Sequence, residues 1–253
     1  MMYSLSVITV VKNDQNNIVK TIKSVLNQKN LNFEYIIHDG KSSDYTFNKV
    51  KKFKKKNIKI IRETDVNLYD AINKCIKKAN GEYIILIHSG DIFFDDFVLF
   101  NLQKILIRRP DILSGNIKFY KNYRSNIIRN WIYPIKVLNK FSIFKIPHTA
   151  LIVKKNIFKK LGFYNIKYNI SSDMDLMIKL SKLKNLKYVY LNKYITLMSA
   201  DGLSTSKINF FKKLIQDLKI LVYHFKFYFI FYYILKVYFK IFDYLGYKNI
   251  NTK

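Results

Sequence analysis

The chain has 253 residues, 49% of them hydrophobic and 25% charged, which excludes a disordered polar tail and provides for a full core in one or two domains. Its 45 basic and 17 acidic residues leave a formal net charge of +28, a balance suited to nucleic acid, an anionic membrane surface or phosphorylated substrates. A composition heavy in Lys, Asn, Ile, Tyr and Phe is also what an AT-rich coding sequence yields. The single cysteine, Cys75, excludes an intramolecular disulfide and a thiolate-built metal site, and fits a reducing, cytoplasmic compartment.

From the N-terminus, Leu5–Val11 reads as a buried strand, too short and wrongly flanked for a secretory signal. Residues 16–28 follow with Ile18, Val19, Ile22, Val25 and Leu26 at helical spacing. A second strand is expected over 33–38, then a helix over 45–54 with Phe47, Val50 and Phe53 on one face. Ile58–Arg62 is a third strand. Residues 68–79 form the clearest helix, with Leu68, Ile72, Cys75, Ile76 and Ala79 in one stripe and Gly81 just past its end. The unbroken apolar run that opens 83–88 predicts a fourth strand, buried on both faces. Strands alternating with helices imply right-handed βαβ crossovers and a mostly parallel, Rossmann-like α/β sheet flanked by helices.

The second half is less regular. A helix is expected over 94–107, and antiparallel additions to the sheet over 111–120, 127–131 and 149–153. A short helix over 156–161 closes on Gly162, another runs over 171–183, a last strand over 188–191, and 199–206 is a polar loop.

Acidic residues are scarce, so their positions carry the information. Asp39, Asp65 and Asp91 recur at or just behind the carboxyl ends of successive strands, the rim where open α/β sheets bind ligands. Aspartate is also a favoured helix cap, and for Asp65 alone that reading is as good. Three acids on one rim of so basic a protein point to a site. In Ser171-Ser172-Asp173-Met174-Asp175, Asp173 shares a helix face with Leu176, Met177 and Leu180 and can reach a cleft. Asp175, about 200° away, points toward Lys179 and Lys182 and is expected to be solvated or capping. His88 and His148 read first as ordinary hydrogen-bonded histidines; His148, just before a strand, is also a candidate for substrate contact.

Several stretches resemble, in order and spacing, the family 2 glycosyltransferases of the GT-A fold, of the bacterial colanic-acid polysaccharide type. They are residues 5–13, Asp39-Gly40-Lys41-Ser42-Ser43-Asp44, the run Asp65-Val66-Asn67-Leu68-Tyr69-Asp70-Ala71-Ile72-Asn73-Lys74, and His88-Ser89-Gly90-Asp91. Pro147-His148-Thr149 and Ser172-Asp173-Met174-Asp175-Leu176 resemble the family's acceptor-side motifs. The resemblance covers about residues 4–205. It implies that Thr9, Asn13 and Asp39 hold the base and ribose of a nucleotide-sugar, with Asp65 and Asn73 around the same pocket. It also implies that Asp91, as the last acid of an Asp-X-Asp motif, holds a divalent metal, Mg²⁺ or Mn²⁺, on the diphosphate, and that Asp173 is the catalytic base of an inverting transfer. The first acid of Asp-X-Asp is Ser89 here, the acid that often precedes the base is Ser172, and Cys75 stands where relatives commonly have Gly.

From 210 to 245 the composition changes. On a helical projection Leu221, Phe227, Tyr228, Phe231, Tyr232, Leu235, Tyr238, Phe239 and Phe242 share a broad face, opposite Lys212, Lys219, Lys226, Lys236 and Lys240. That pattern suits a helix lying in a membrane interface, and its alternative is a helix packed on protein. The expectation is a catalytic domain over 1–206 and a basic, aromatic arm over 207–253. The arm would rest on an anionic membrane at its cytoplasmic face, near a glycan or lipid-linked glycan acceptor; a homo-oligomer is compatible. Two other functions compete. One is an inactive member that only binds nucleotide-sugar or glycan, which Ser89 invites. The other is a basic nucleic-acid-binding protein, against which no nucleic-acid motif is present and the lysines are dispersed.

Overall fold

The uncharged run Leu5–Val11 forms β1, buried along its whole length, and the sheet is assembled around it. In this computed structural model, residues 4–29, 32–121, 126–132, 134, 137–200 and 207–248 are described. β2 (Phe33–Asp39) lies parallel to β1 on one side and β4 (Tyr83–Leu86) on the other, with β3 (Ile58–Arg62) parallel outside β2. Connecting α1 (Ile18–Leu26), α2 (Thr46–Val50) and α3 (Leu68–Lys78) supply the crossovers. The order β3-β2-β1-β4 brings the carboxyl ends of four parallel strands to one rim, as the alternation of elements predicts.

Beyond β4 the sheet becomes mixed. β8 (Leu151–Lys154) runs antiparallel to β4, and β6 (Ile112–Lys121) antiparallel to β8. β7 (Asn126–Trp131) returns antiparallel along β6, while β9 (Tyr188–Ser199) runs parallel to it. β5 (Ile92–Phe93) pairs antiparallel with β9 at the far edge. β5 ends just before the stretch expected as a helix over 94–107, within which α4 starts only at Val98 and runs to Leu106. Ile92 and Phe93 are fully buried, and pairing with β9 satisfies their backbone. β9 runs well past the expected 188–191. The exposed Asn192-Lys193 pair breaks its apolar pattern, and a register shift against β6 lies there. Gly115 is needed opposite, since a Cβ would come within 2.5 Å of Ile195.

Because strand residues alternate faces, the sheet has a core on each side. Ile8 and Val10 pack with Ile72, Cys75 and Ile76 of α3, with Ile157 and Phe158 of α5 (Lys155–Leu161), and with Leu176 and Leu180 of α6 (Ser172–Ser181). Leu5, Val7 and Val11 pack with Ile18, Ile22 and Val25 of α1 and Leu99 and Leu102 of α4. Each such side chain contributes roughly 1.5–3 kcal/mol on burial.

The arm is not one helix. α7 (Lys207–Phe225) and α8 (Phe229–Lys248) are separated by a 3₁₀ turn, Lys226–Tyr228, entered by Lys226 at φ 48°. Leu221 and Tyr232, expected on the lipid-facing side, are buried instead: with Ile220 and Phe225 they pack against Met174 and Ile178 of α6. Phe227 remains 93% exposed, and Tyr228, Phe231 and Tyr238 are exposed beside it. Phe210–Phe239 is long and apolar enough to cross a membrane by length and composition, with a mean hydropathy of 1.4 and 17% of its best window buried. The side chains of Lys240 and Phe242, most of the expected polar loop 199–206, and residues 249–253 lie outside what is described.

Candidate active site

Two loops interlock at the head of β1 and β2. Asn13, just after β1, adopts a left-handed backbone (φ 53°), accepting at Oδ1 from the Ser43 N–H (2.8 Å) and donating its own N–H to Ser42 Oγ (2.9 Å). Asp39 closes β2. Its Oδ2 accepts from the Ser42 N–H (3.1 Å) and faces Arg62 Nε (3.3 Å), whose guanidinium lies 4.2 Å from the Phe47 ring centre. Asp39 Oδ1 is buried without a hydrogen-bond partner, an arrangement that leaves an acceptor for a ligand donor.

The other rim acids differ. Asp65 pairs with His38 Nε2 (2.7 Å) and Lys74 Nζ (2.9 Å) and lies so close to Gly40 that a Cβ there would meet its Oδ2 at 3.1 Å. Both its oxygens are engaged by the protein. Two predicted donor contacts are not brought to the rim. Thr9 is fully buried within the sheet, its Oγ1 donating to the Ile87 carbonyl (2.7 Å) and accepting from the Tyr35 hydroxyl (3.0 Å). The Asn73 amide is committed on both sides to Tyr164, donating to its carbonyl (2.8 Å) and accepting its N–H (3.0 Å). These side chains hold elements together: one ties β1 to its neighbours, the other ties α3 to the loop after α5.

Asp91 follows a turn that needs Gly90 at φ 97°. Its Oδ1 accepts the Ser199 N–H (2.9 Å). Burial pushes the carboxyl up to about 7, against the opposing pull of that N–H and of the Lys20 charge. Ser89, in the place of the first motif acid, donates to Asp14 Oδ2 (2.7 Å), and Asp14 Oδ1 accepts from Asn17 Nδ2 (2.6 Å). Asp14 thus supplies a carboxylate beside Ser89. Among the described residues no three His, Cys, Asp or Glu side chains cluster as a metal site.

Asp173 opens α6. It is not a cap: Ser171 holds that position, with no side-chain cap bond. Asp173 Oδ1 accepts from the Tyr69 hydroxyl (3.0 Å), and Oδ2 stands 3.4 Å from His148 Nδ1. His88 completes the group, its ring centre 6.0 Å from that of His148. Burial would raise the Asp173 carboxyl, but His148, Lys213 and Tyr69 outweigh it and hold the group below its ordinary value. It is therefore ionised at neutral pH. Desolvation, aided by His148, pushes His88 down to about 4, so His88 is neutral there.

Of the two acids of α6, Asp175 does not have its expected environment. Asp175 is buried rather than solvated, accepting from His224 Nε2 (2.7 Å) and pairing with Lys179 Nζ (2.7 Å). Packing of α7 onto α6 covers the face that the lysines had marked as solvent. The Asp173 side chain stays 23% exposed. Tyr69 and Arg62 received no role from sequence. Tyr69 was discoverable, since it lies inside the Asp65–Lys74 motif one residue into a helix that starts at the rim.

The fold is shared with known proteins. A crystal structure of S. aureus TarS residues 1–349 with UDP-GlcNAc superposes with a TM-score of 0.70 at 17% identity, covering 87% of this chain and 66% of that one. A mannosyltransferase from Pyrobaculum calidifontis with GDP-Man and Mn²⁺ gives 0.57 at 15%, covering 88% and 63%. These likenesses establish the GT-A fold. By sequence, the chain is 29% identical over 136 residues to the Escherichia coli UDP-Glc:alpha-D-GlcNAc-diphosphoundecaprenol beta-1,3-glucosyltransferase WfgD, 53% of each chain. It is 24% identical over 163 residues to a Mycobacterium bovis PGL/p-HBAD biosynthesis glycosyltransferase, 62% of each. The matches thus span between about half and three fifths of these relatives' lengths. The profile of glycosyl transferase family 2 matches residues 6–172, well over half the chain, and the chain belongs to that family.

Proposed function

We propose that the protein transfers a sugar from a nucleotide-sugar, of the UDP class, to a hydroxyl of a lipid-linked or surface glycan, with inversion at the anomeric carbon. The observation that carries the reading is Asp173, a carboxylate kept ionised at the start of α6, beside Tyr69 and His148. Asp173 takes the proton of the acceptor hydroxyl as that oxygen bonds the anomeric carbon, and the bond to the nucleoside diphosphate breaks. His148 stands on the acceptor side. Asn13 and Asp39 hold the nucleoside, Asp39 through its unpartnered oxygen. The names of WfgD and of the TarS complex, with their UDP-sugars, and WfgD's diphosphoundecaprenol acceptor support the choice of donor and acceptor class.

Asp91 fits a divalent cation as a single protein ligand. Its carboxyl is buried and proton-avid, a site that a cation settles as well as a proton, and Mg²⁺ or Mn²⁺ can take its remaining ligands from phosphates and water. The ion would supply charge neutralisation for the departing diphosphate. Ser89, tethered to Asp14, favours a second reading in which the fold only binds nucleotide-sugar. The arm places the protein peripherally on an anionic membrane, through the exposed Phe227, Tyr228 and Phe231.

A thermal-shift screen of UDP-, GDP- and dTDP-sugars, with and without Mn²⁺, tests the donor assignment. A Mn²⁺-dependent rise with UDP-sugars is expected; no shift with any of them contradicts it.

A further inference from the structure

Helix α7 lies beyond the segment matched by the family profile, yet it reaches the turn that carries Asp173. Gln216 Oε1 accepts the N–H groups of Ile170 (3.0 Å) and Ser171 (3.2 Å), while its Nε2 donates to Asn169 Oδ1. One turn earlier on the same helix face, Lys213 brings its ammonium 3.5 Å from Ser171 Oγ. The Ser171 N–H and the Ile170 carbonyl belong to one peptide unit, and in a trans peptide they point in opposite directions. Holding the N–H from α7 therefore aims the carbonyl away from α7. There it accepts from the Tyr69 hydroxyl at 2.8 Å, the same hydroxyl that faces Asp173 Oδ1 at 3.0 Å. A chain of contacts runs from Gln216 through one peptide to Tyr69 and on to Asp173.

We infer that Gln216 and Lys213 are positioning residues for the base. Gln216 fixes the peptide that orients Tyr69 toward Asp173, and Lys213, held at Ser171 Oγ, adds a positive charge beside the same turn. The inference rests on Asp173 being that base. The groups around Asp173 are Tyr69 from α3, His148 from the segment between β7 and β8, His88 from the loop after β4, Tyr164 from the loop after α5, Lys213 from α7 and Lys236 from α8. Of the two lysines, Lys213 is the one that also reaches the turn before Asp173, at Ser171 Oγ; Asp217 pairs with both, at 3.7 Å from Lys213 Nζ and 2.5 Å from Lys236 Nζ. α7 is accordingly part of the catalytic apparatus as well as the root of the arm.

Full-length variants test this. In a ¹³C carboxylate NMR titration, assigned with Asp173→Asn, Lys213→Met raises the Asp173 midpoint by about half a pH unit or more, and Lys213→Arg restores it. Gln216→Ala lowers hydrogen-exchange protection of the Ile170 and Ser171 amides, and lowers kcat for UDP release from UDP-glucose about ten-fold with KM within roughly two-fold. Gln216→Glu, which keeps an acceptor for both N–H groups, retains the protection. An Asp173 midpoint unmoved in Lys213→Met, or a Gln216→Ala enzyme with unchanged protection and kcat, overturns the inference. Undiminished turnover in Asp173→Asn sinks the base assignment instead, and the titration, which needs no turnover, separates the two failures.

Discussion

The Tyr69 hydroxyl, on the first turn of α3, lies 3.0 Å from Asp173 Oδ1 and 2.8 Å from the Ile170 carbonyl, across 104 residues of sequence from the aspartate. One proton serves two acceptors, so the hydroxyl both anchors the turn before α6 and steadies the carboxylate. Tyr69→Phe keeps the ring stacked on Tyr164 (5.4 Å between centres) and so keeps the packing. Losing a donor to the ionised form raises the Asp173 pKa. The expected result is a kcat reduced about ten-fold and an acid limb of the pH–rate profile moved upward, read by steady-state kinetics across pH. An unshifted limb speaks against the contact.

Asp91 predicts a stability that depends on pH in the unusual direction for an acid. Its folded value of about 7 lies above the ordinary 3.8, so between these values the folded state holds a proton that the unfolded chain has released. The group's contribution is complete below about pH 4 and is lost as pH rises through 7. The shift, roughly three units, is worth at most about 4 kcal/mol. In the metal-free protein Asp91→Asn is expected to raise Tm at pH 8 and to flatten its decline between about pH 4 and 7, the window set by the two values, while the Mn²⁺-dependent shift with UDP-sugars disappears. Equal Tm profiles for both proteins count against the buried, proton-avid carboxyl.

Gly81 offers a test of the fold at the opposite end of the sheet. A Cβ there would sit 2.5 Å from the Ser6 nitrogen and hydroxyl, and the Gly81 N–H already serves Ser6 Oγ and Glu34 Oε1, both at 2.9 Å. The neighbour is backbone, which does not yield easily. Gly81→Ala is expected to cost about 1–3 kcal/mol, seen as a lowered Tm at roughly 2–4 °C per kcal/mol. A wild-type Tm contradicts the close approach.

The exposed aromatics at the α7–α8 elbow predict lipid binding. Phe227→Ser with Phe231→Ser removes apolar area worth roughly 1.5–3 kcal/mol per side chain and is expected to lower co-sedimentation with phosphatidylglycerol vesicles more than ten-fold (about 1.4 kcal/mol). Binding by the unaltered protein should weaken as salt rises. Equal binding by both proteins assigns the elbow to a protein partner.

The sequence made the parallel half of the sheet legible because its strands are uninterrupted apolar runs, of which Leu5–Val11 is the clearest, and because α1 and α3 carry clean stripes. The rim position of Asp39 and Asp91 followed from where those runs stop. β9 was cut short on reading because Asn192 and Lys193 interrupt it, and a register shift is invisible to periodicity. Asp175 was misplaced because α7, far along the chain, covers a face whose lysines suggested solvent. Thr9 and Asn73 fit the family pattern by position, yet their bonds to Ile87, Tyr35 and Tyr164 depend on tertiary neighbours that spacing does not reveal.

The most direct test of the account is turnover by Asp173→Asn. Release of UDP from a UDP-sugar to a diphospholipid-linked glycan acceptor, measured beside calorimetric binding of UDP with Mn²⁺, separates chemistry from binding. The account predicts a kcat lower by about 10²–10⁴ with UDP affinity unchanged. Turnover within roughly two-fold of the unaltered enzyme would contradict it.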